Sequence, residues 1–160
     1  IPLRLRGMAV RMGAAAQREV RLYLRAQATV SLAVGALSAF GLWLAGVRSA
    51  LALGHLTGIF NLIPYLGPVL GAVPTMIAAL TSGWQTALFA AIVLIIVQQL
   101  DGMLISPRVM GTLTGLSPAA VLVAVFAGGC ALGVAGMVLA LPVLMVIRTC
   151  VRVFVQREAA

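Results

Sequence analysis

The sequence predicts an all-α, polytopic membrane protein whose helices are interrupted by proline and glycine. Of its 160 residues, 62% are hydrophobic and 9% are charged, and the mean hydropathy is +1.15. Soluble domains carry roughly 25% charged residues, so this chain has too few to cover a surface exposed to water. Between Gln27 and Ile147 the only formally charged residues are Arg48, Asp101 and Arg108. We therefore expect a lipid bilayer to surround most of the chain.

The first segment, residues 1–26, is rich in arginine. Five arginines share one face of a helix at 100° per residue: Arg4, Arg11, Arg18, Arg21 and Arg25. This pattern predicts a basic amphipathic helix at the cytoplasmic membrane surface, and a simple cytoplasmic helical extension is the alternative. The segment has neither an initiator methionine nor the apolar core of a signal peptide. We therefore expect the chain to begin inside a longer protein.

Residues 27–155 form the predicted transmembrane domain. Its first span, 27–47, carries no charge and would be roughly 31 Å long as a helix, which matches a hydrocarbon core of about 30 Å. Trp84 begins a later span and is expected to anchor it at the membrane interface. The remaining predicted segments are 49–63, 68–82, 84–100, 118–129 and 131–155, followed by a cytoplasmic tail over 156–160.

Two breaks are expected inside the apolar segments. The first is the sequence Pro64-Tyr65-Leu66-Gly67-Pro68, because proline lacks an amide donor and glycine relaxes the backbone. A re-entrant hairpin and two short spans both fit this break. The second lies in the apolar run 119–147, which is too long for one comfortable span and is expected to form another broken hairpin. Its break and packing residues are predicted to be Gly128, Gly129, Gly133, Gly136 and Pro142.

The distribution of arginines predicts the orientation. If the first span runs outward, the N-terminal flank, Arg108 and the C-terminal flank all lie in the cytoplasm, and only Arg48 lies outside. This split satisfies the positive-inside rule, with both ends of the chain cytoplasmic. The same placement accounts for the net charge of +8. Because the arginines flank apolar segments, we expect no nucleic-acid partner.

Signatures of enzymes and metal sites are missing from the sequence. There is one histidine, His55, and there is no lysine, so neither a histidine-based metal site nor a phosphate-binding loop can be built. Cys130 and Cys150 lie in apolar runs and are expected to act as small hydrophobic residues. His55 is interpreted as a hydrogen-bonded packing residue, with a proton-sensitive group as the alternative. We expect no catalytic site, no cofactor and no metal.

Candidate transport residues cluster near two points of the chain. A helix broken in lipid leaves backbone groups that only protein or water can satisfy, and such breaks often line transport sites. Asp101 follows an apolar helix and is either a path residue or a helix-end carboxylate that faces water or pairs with Arg108. The candidates are Asn61, Pro64, Tyr65, Gly67, Pro68, Gln98, Gln99, Asp101, Pro107, Arg108 and Gly111.

Glycine pairs spaced four residues apart indicate close helix packing. Such pairs let two backbones approach in a membrane. They occur at Gly54/Gly58, Gly67/Gly71, Gly111/Gly115 and Gly129/Gly133.

Three ordered motifs resemble the autoinducer-2 exporter family, also called PerM-like permeases. They are the stretch 58–68, then Asp101 with 105–111 and 116–118, and then the late glycines with Leu141-Pro142. The resemblance covers about residues 21–155 and corresponds to the C-terminal half of a usual member. Met103 departs from the asparagine that relatives often carry there. The resemblance implies a bacterial inner-membrane transport protein that forms homo-oligomers, with members linked to autoinducer-2 export and others to cation/proton exchange.

From these observations we expect a membrane transporter that exports a small polar solute or signal molecule. A monovalent cation/proton antiporter and a non-transporting oligomeric scaffold are the alternatives. The expected partners are the lipid bilayer, a small polar solute or ion, and further copies of the same chain.

Overall fold

The computed structural model describes residues 3–110 and 117–158, and every regular element in these ranges is a helix. The predicted all-α class is therefore confirmed. The chain divides into two compact units: unit 1 comprises residues 1–25 with 113–160, and unit 2 comprises residues 26–112. The helices are α1 (Leu3–Leu44), α2 (Ala50–Phe60), α3 (Gly67–Ser82), α4 (Trp84–Leu100), a π-helical turn (Asp101–Ile105), α5 (Ser106–Met110) and α6 (Pro118–Glu158).

Three helical stretches have the length and apolar composition needed to cross a membrane. They cover Ala16–Leu44, Trp84–Val109 and Pro118–Thr149. The shorter helices α2 and α3 are also apolar, with 11 and 16 residues. The structure thus confirms a polytopic helical membrane protein, whereas the side of the membrane on which each end lies stays a prediction.

In unit 2, glycines bring α1 and α2 into backbone contact. A Cβ atom on Gly54 would overlap the backbone of Ala39. One on Gly58 would lie 2.6 Å from the carbonyl oxygen of Ser31 and 2.9 Å from the Cα atom of Gly35. The close packing predicted for the Gly54/Gly58 pair is confirmed, because no side chain fits between these helices.

One end of unit 2 is held by small apolar side chains. Leu42, Val47, Ala50 and Ala87 belong to one buried cluster that joins the end of α1 to the starts of α2 and α4. The turns at this end connect α1 to α2 and α3 to α4. We call it the apolar end; its exposed residues include Trp43, Arg48 and Trp84.

The opposite end of unit 2 carries the first break. α2 ends at Phe60 and α3 begins at Gly67, so the break covers residues 61–66 and overlaps the predicted break at 64–66, while Gly67 and Pro68 already belong to α3. Tyr65 adopts a left-handed backbone conformation with φ 63°. A Cβ on Gly67 would overlap the carbonyl oxygen of Phe60, so only glycine lets α3 start so close to the end of α2.

In unit 1, α6 is a helical hairpin rather than a single rod. Gly133 has φ 62° and ψ −142°, which no residue of a continuous helix adopts. The two arms pack so closely that a Cβ on either Gly128 or Gly136 would overlap the backbone of the other. Within the same unit, the Thr149 hydroxyl donates a hydrogen bond of 2.7 Å to the Glu19 carboxylate. The second broken hairpin predicted from the glycines is therefore confirmed, with its break at Gly133.

Candidate transport site

The turn at residues 61–66 satisfies most of its backbone donors internally. The amides of Leu62 and Ile63 donate to carbonyls in the last turn of α2, and the amides of Leu66 and Gly67 donate to Pro64 and Ile63. Ile63 is 2% exposed and anchors the turn in the interior of unit 2. The break is consequently an ordered feature that preserves backbone hydrogen bonding in an apolar setting.

A side chain from α1 completes this turn. The Gln27 amide Nε2 donates a buried hydrogen bond of 2.7 Å to the carbonyl oxygen of Asn61. Asn61 is the C-cap residue that follows α2, and the last carbonyls at a helix end have no partner inside the helix. Gln27 and Asn61 are each 6% exposed, so without this bond a polar group would be buried unpaired.

A groove of about 620 Å³ separates α3 from α4 in unit 2. Its walls are apolar for most of their length and include Val73 and Ile77 of α3. Where α3 begins beside the turn, the lining includes Pro68 together with the side chains of Gln98 and Gln99. The structure therefore brings together three of the predicted path residues at one end of a single groove.

Asp101 begins a π-helical turn directly after Gln98 and Gln99. The carboxylate oxygen Oδ1 accepts a hydrogen bond of 2.7 Å from the Ser106 hydroxyl, across the whole turn. The Ser106 amide donates to the Asp101 carbonyl, closing the wider ring of this turn. π-Helical turns inside helices occur frequently at functional sites. The carboxylate is half-buried and its partner is Ser106, not the Arg108 that the sequence offered as an alternative.

Packing places this turn at the same end of unit 2 as the break. Val30 and Val34 of α1 form a buried cluster with Val97, and Ile105 and Val109 pack against it. Gln27 precedes this part of α1 by one turn. We name this region, comprising Gln27, the turn 61–66, Gln98, Gln99 and Asp101, the polar end.

The remaining predicted path residues lie at the margin of this region or outside it. Tyr65 is 52% exposed and Pro64 is half-buried in the turn. Pro107 and Arg108 are exposed on the short helix α5. Gly111 lies outside the described residues. Their roles in a transport path stay predictions.

The break and packing residues of α6 make apolar contacts. A Cβ on Gly129 would meet the side chain of Met137, and Pro142 is buried. The neighbouring Cys130 is a free, exposed cysteine. Within residues 3–110 and 117–158, no three His, Cys, Asp or Glu side chains are grouped so that they could hold a metal ion.

Two residues that hydrogen-bond at the polar end are not among the predicted path residues. Gln27 was assigned to the beginning of a span, although an amide at the edge of an uncharged stretch is a signal for a buried hydrogen bond. The second is Ser106, whose hydroxyl donates the hydrogen bond to the Asp101 carboxylate. His55 lies elsewhere: its Nδ1 is 2.7 Å from the carbonyl oxygen of Leu51, one turn earlier in α2.

Long apolar helices with ordered breaks define a polytopic α-helical membrane protein. The chain belongs to the AI-2E transporter family, whose model, described as AI-2E family transporter, matches residues 1–156. The resemblance deduced from the three motifs is thereby confirmed.

Three relatives illustrate the similarity. The candidate transport proteins YueF and YrrI of Bacillus subtilis are 41% and 35% identical to this chain over 126 residues, which is 79% of it. The AI-2 transport protein TqsA of Escherichia coli is 31% identical over 127 residues. These matches cover 34%, 36% and 37% of the relatives, so the chain spans about a third of their length.

Proposed function

We propose that this chain carries the solute path of a permease that exports a small polar solute across a bacterial inner membrane. The observation that supports this most directly is the groove between α3 and α4, which is apolar along its length and ends at the amides of Gln98 and Gln99. Apolar clefts with a few convergent polar groups are the usual form of small-molecule sites.

The polar end suits an uncharged or weakly charged solute. Each glutamine amide offers donors and an acceptor without a fixed charge, so it can replace hydrogen bonds to water as a polar molecule leaves the aqueous phase. Gln27 fixes the turn 61–66, which gives the beginning of α3 a defined position beside these amides. Residues held in this way bind and orient a solute; the proposal involves no covalent chemistry.

Asp101 provides the coupling group in this proposal. It is one of three acidic residues in the chain. Placing a carboxylate in or beside the apolar part of a membrane costs free energy, so such residues usually serve a function. Exchange of a monovalent cation for a proton is the second candidate function, and the half-buried Asp101 carboxylate is the observation that favours it. Both functions place the path at the polar end.

The arrangement in the membrane is also part of the proposal. Both ends of the chain face the cytoplasm, as the positive-inside rule favours, and several copies assemble around the exposed apolar faces of α3 and α4. A non-transporting scaffold would use the same faces but would need no polar groups beside the groove. The name of TqsA makes AI-2 the first solute to test.

Flux into or out of vesicles tests this function. The purified protein is reconstituted in proteoliposomes with a trapped pH dye, and AI-2, other small polar solutes and monovalent cations are supplied in turn. We expect solute movement that exceeds that of protein-free vesicles and that falls to the protein-free rate in Asp101→Asn. Gln85→Asn, at an exposed site in the first turn of α4, is the matched control and should transport normally.

Each outcome separates the candidates. Solute flux without cations supports the exporter, whereas proton movement driven by cations alone supports the antiporter. No flux of any compound by protein whose folding has been verified would contradict both functions and favour the scaffold.

A further inference from the structure

A second groove in unit 2 lies between α1 and α2 and shares no lining residue with the groove between α3 and α4. Its volume is about 960 Å³, and it is open along one side. Small residues such as Gly35, Ala36, Ala39 and Gly58 lie among its lining residues, because α1 and α2 approach backbone to backbone. The result is a long apolar channel on the surface of the unit.

The length of this groove matches a lipid tail. Its lining residues on α1 run from Ala28 to Trp43, a distance of about 22 Å at 1.5 Å per residue. One leaflet provides about half of a hydrocarbon core of roughly 30 Å. An extended acyl chain in either leaflet therefore fits within the groove without leaving it.

Aromatic residues lie at one end of the groove, and an arginine lies in the chain between two of its lining residues, Trp43 and Leu51. Phe40 and Trp43 line it, with ring centroids 6.1 Å apart, and Trp43 is 65% exposed. Exposed tryptophan is typical of the depth at which lipid headgroups begin. The turn that follows Trp43 carries Arg48, the only formally charged residue between Arg25 and Asp101.

The charge of Arg48 has no counterpart in unit 2. The one carboxylate of this unit, Asp101, lies at the polar end and bonds to Ser106. Among the side chains that the structure describes in unit 2, none forms a hydrogen bond or ion pair with the exposed guanidinium of Arg48. A guanidinium binds phosphate through two parallel hydrogen bonds, which makes an anionic headgroup its complement.

We propose that the groove between α1 and α2 binds one anionic phospholipid, with its phosphate at Arg48 and an acyl chain along the glycine and alanine residues. Charge, the aromatic pair and the length of the groove all point to the same occupant. The bound lipid would fill the space beside the close contact of these two helices, and so would stabilise unit 2.

Native mass spectrometry of the purified protein tests this site. The protein is stripped of lipid and then titrated with phosphatidylglycerol or with phosphatidylcholine. We expect one phosphatidylglycerol per chain to remain bound at collision energies that remove phosphatidylcholine. Arg48→Gln should weaken retention about fivefold, the value of one basic residue near an anionic headgroup, and Ala36→Phe should block the groove and abolish it.

Two controls make the result specific. Arg108→Gln removes an exposed arginine of α5 that does not line this groove, and Leu37→Phe places the same aromatic ring on α1 at a residue that does not line it. Both should retain lipid as the parent protein does. If Arg108→Gln lost as much bound lipid as Arg48→Gln, the site would be overturned. Unchanged lipid retention in Ala36→Phe would overturn it as well, whatever the subunit number of that variant. Arg48→Gln alters an exposed turn, so its folding is not at issue.

Discussion

The Gln27 side chain donates its buried 2.7 Å hydrogen bond to the carbonyl oxygen of Asn61, 34 residues further along the chain. This bond connects the first long helix to the break between α2 and α3. A break costs backbone hydrogen bonds, and in an apolar environment each one must be recovered from protein. The order of the polar end therefore depends on a residue that lies far from it in the sequence.

Removing the Gln27 amide should destabilise unit 2. Gln27→Leu keeps much of the side-chain volume but leaves the Asn61 carbonyl buried without its donor, which costs about 1–3 kcal/mol. The thermal unfolding midpoint in detergent measures this change. Gln17→Leu, at an exposed residue of α1, is the control and should leave the midpoint nearly unchanged. Equal midpoints for the two variants would refute the role assigned to this hydrogen bond.

The contact between α1 and α2 should not tolerate one additional methyl group. In Gly58→Ala the Cβ atom would lie 2.6 Å from the Ser31 carbonyl oxygen, and such overpacking costs about 1–3 kcal/mol. Gly13→Ala has open space around it and should be neutral or stabilising by up to about 1 kcal/mol, since alanine favours helix. The two unfolding midpoints should therefore move in opposite directions or by clearly different amounts.

The tip of the α6 hairpin depends on a glycine for a different reason. Gly133 has open space around it, so Gly133→Ala creates no collision, but its φ of 62° with ψ of −142° is strained for any other residue. We expect a loss of about 1–3 kcal/mol, measured as a lower unfolding midpoint. Gly102→Ala has equal space and no positive φ. If Gly133→Ala proved no more damaging than this control, the tip geometry would be wrong.

Substitutions of Asp101 and Ser106 test the charge of the carboxylate and its hydrogen bond separately. Asp101→Asn removes the charge but keeps an oxygen that accepts from the Ser106 hydroxyl, so we expect lost flux with an almost unchanged unfolding midpoint. Ser106→Ala removes the donor to a charged group, which costs about 1.5–3 kcal/mol, but it leaves the carboxylate in place. Flux should survive in this variant. The reverse pattern would mean that Asp101 only holds the π-helical turn.

The breaks could be predicted from the sequence because their cause is local. Proline at 64 and 68 and glycine at 67 weaken a continuous helix locally, because proline removes an amide donor and glycine relaxes the backbone. In α6 the glycines predict that a break occurs, but packing decides that it falls at Gly133 rather than at Gly128, Gly129 or Gly136. The bond between Gln27 and Asn61 could not be predicted, because it depends on how α1 packs against α2. The π-helical turn also escaped prediction, since an ordinary helix does not bring residues 101 and 106 into contact.

The groove lined by Pro68, Gln98 and Gln99 could be predicted only in part from the sequence. All three were identified as candidates from their residue types and their proximity to breaks. That they line one groove depends on the register of α3 against α4, which follows from contacts such as those of Ala79, Ala87 and Ala90 at the apolar end. Composition gives the residue types, but packing decides which of them meet.

The most direct test of a solute path at the polar end compares two single cysteines on α4. Cys130 and Cys150 are first replaced by alanine, and Gln99→Cys and Phe89→Cys are made in that background. Both parent side chains are exposed in unit 2. A difference in the reactivity of the two cysteines therefore reports whether water or lipid surrounds each one.

A membrane-impermeant thiol reagent is then applied to intact vesicles, with and without solute. The account predicts that the cysteine at 99 reacts and is protected by transported solute, whereas the cysteine at 89 stays unmodified in lipid. Modification at 89 but not at 99, or equal reaction at both without protection, would contradict a path at the polar end.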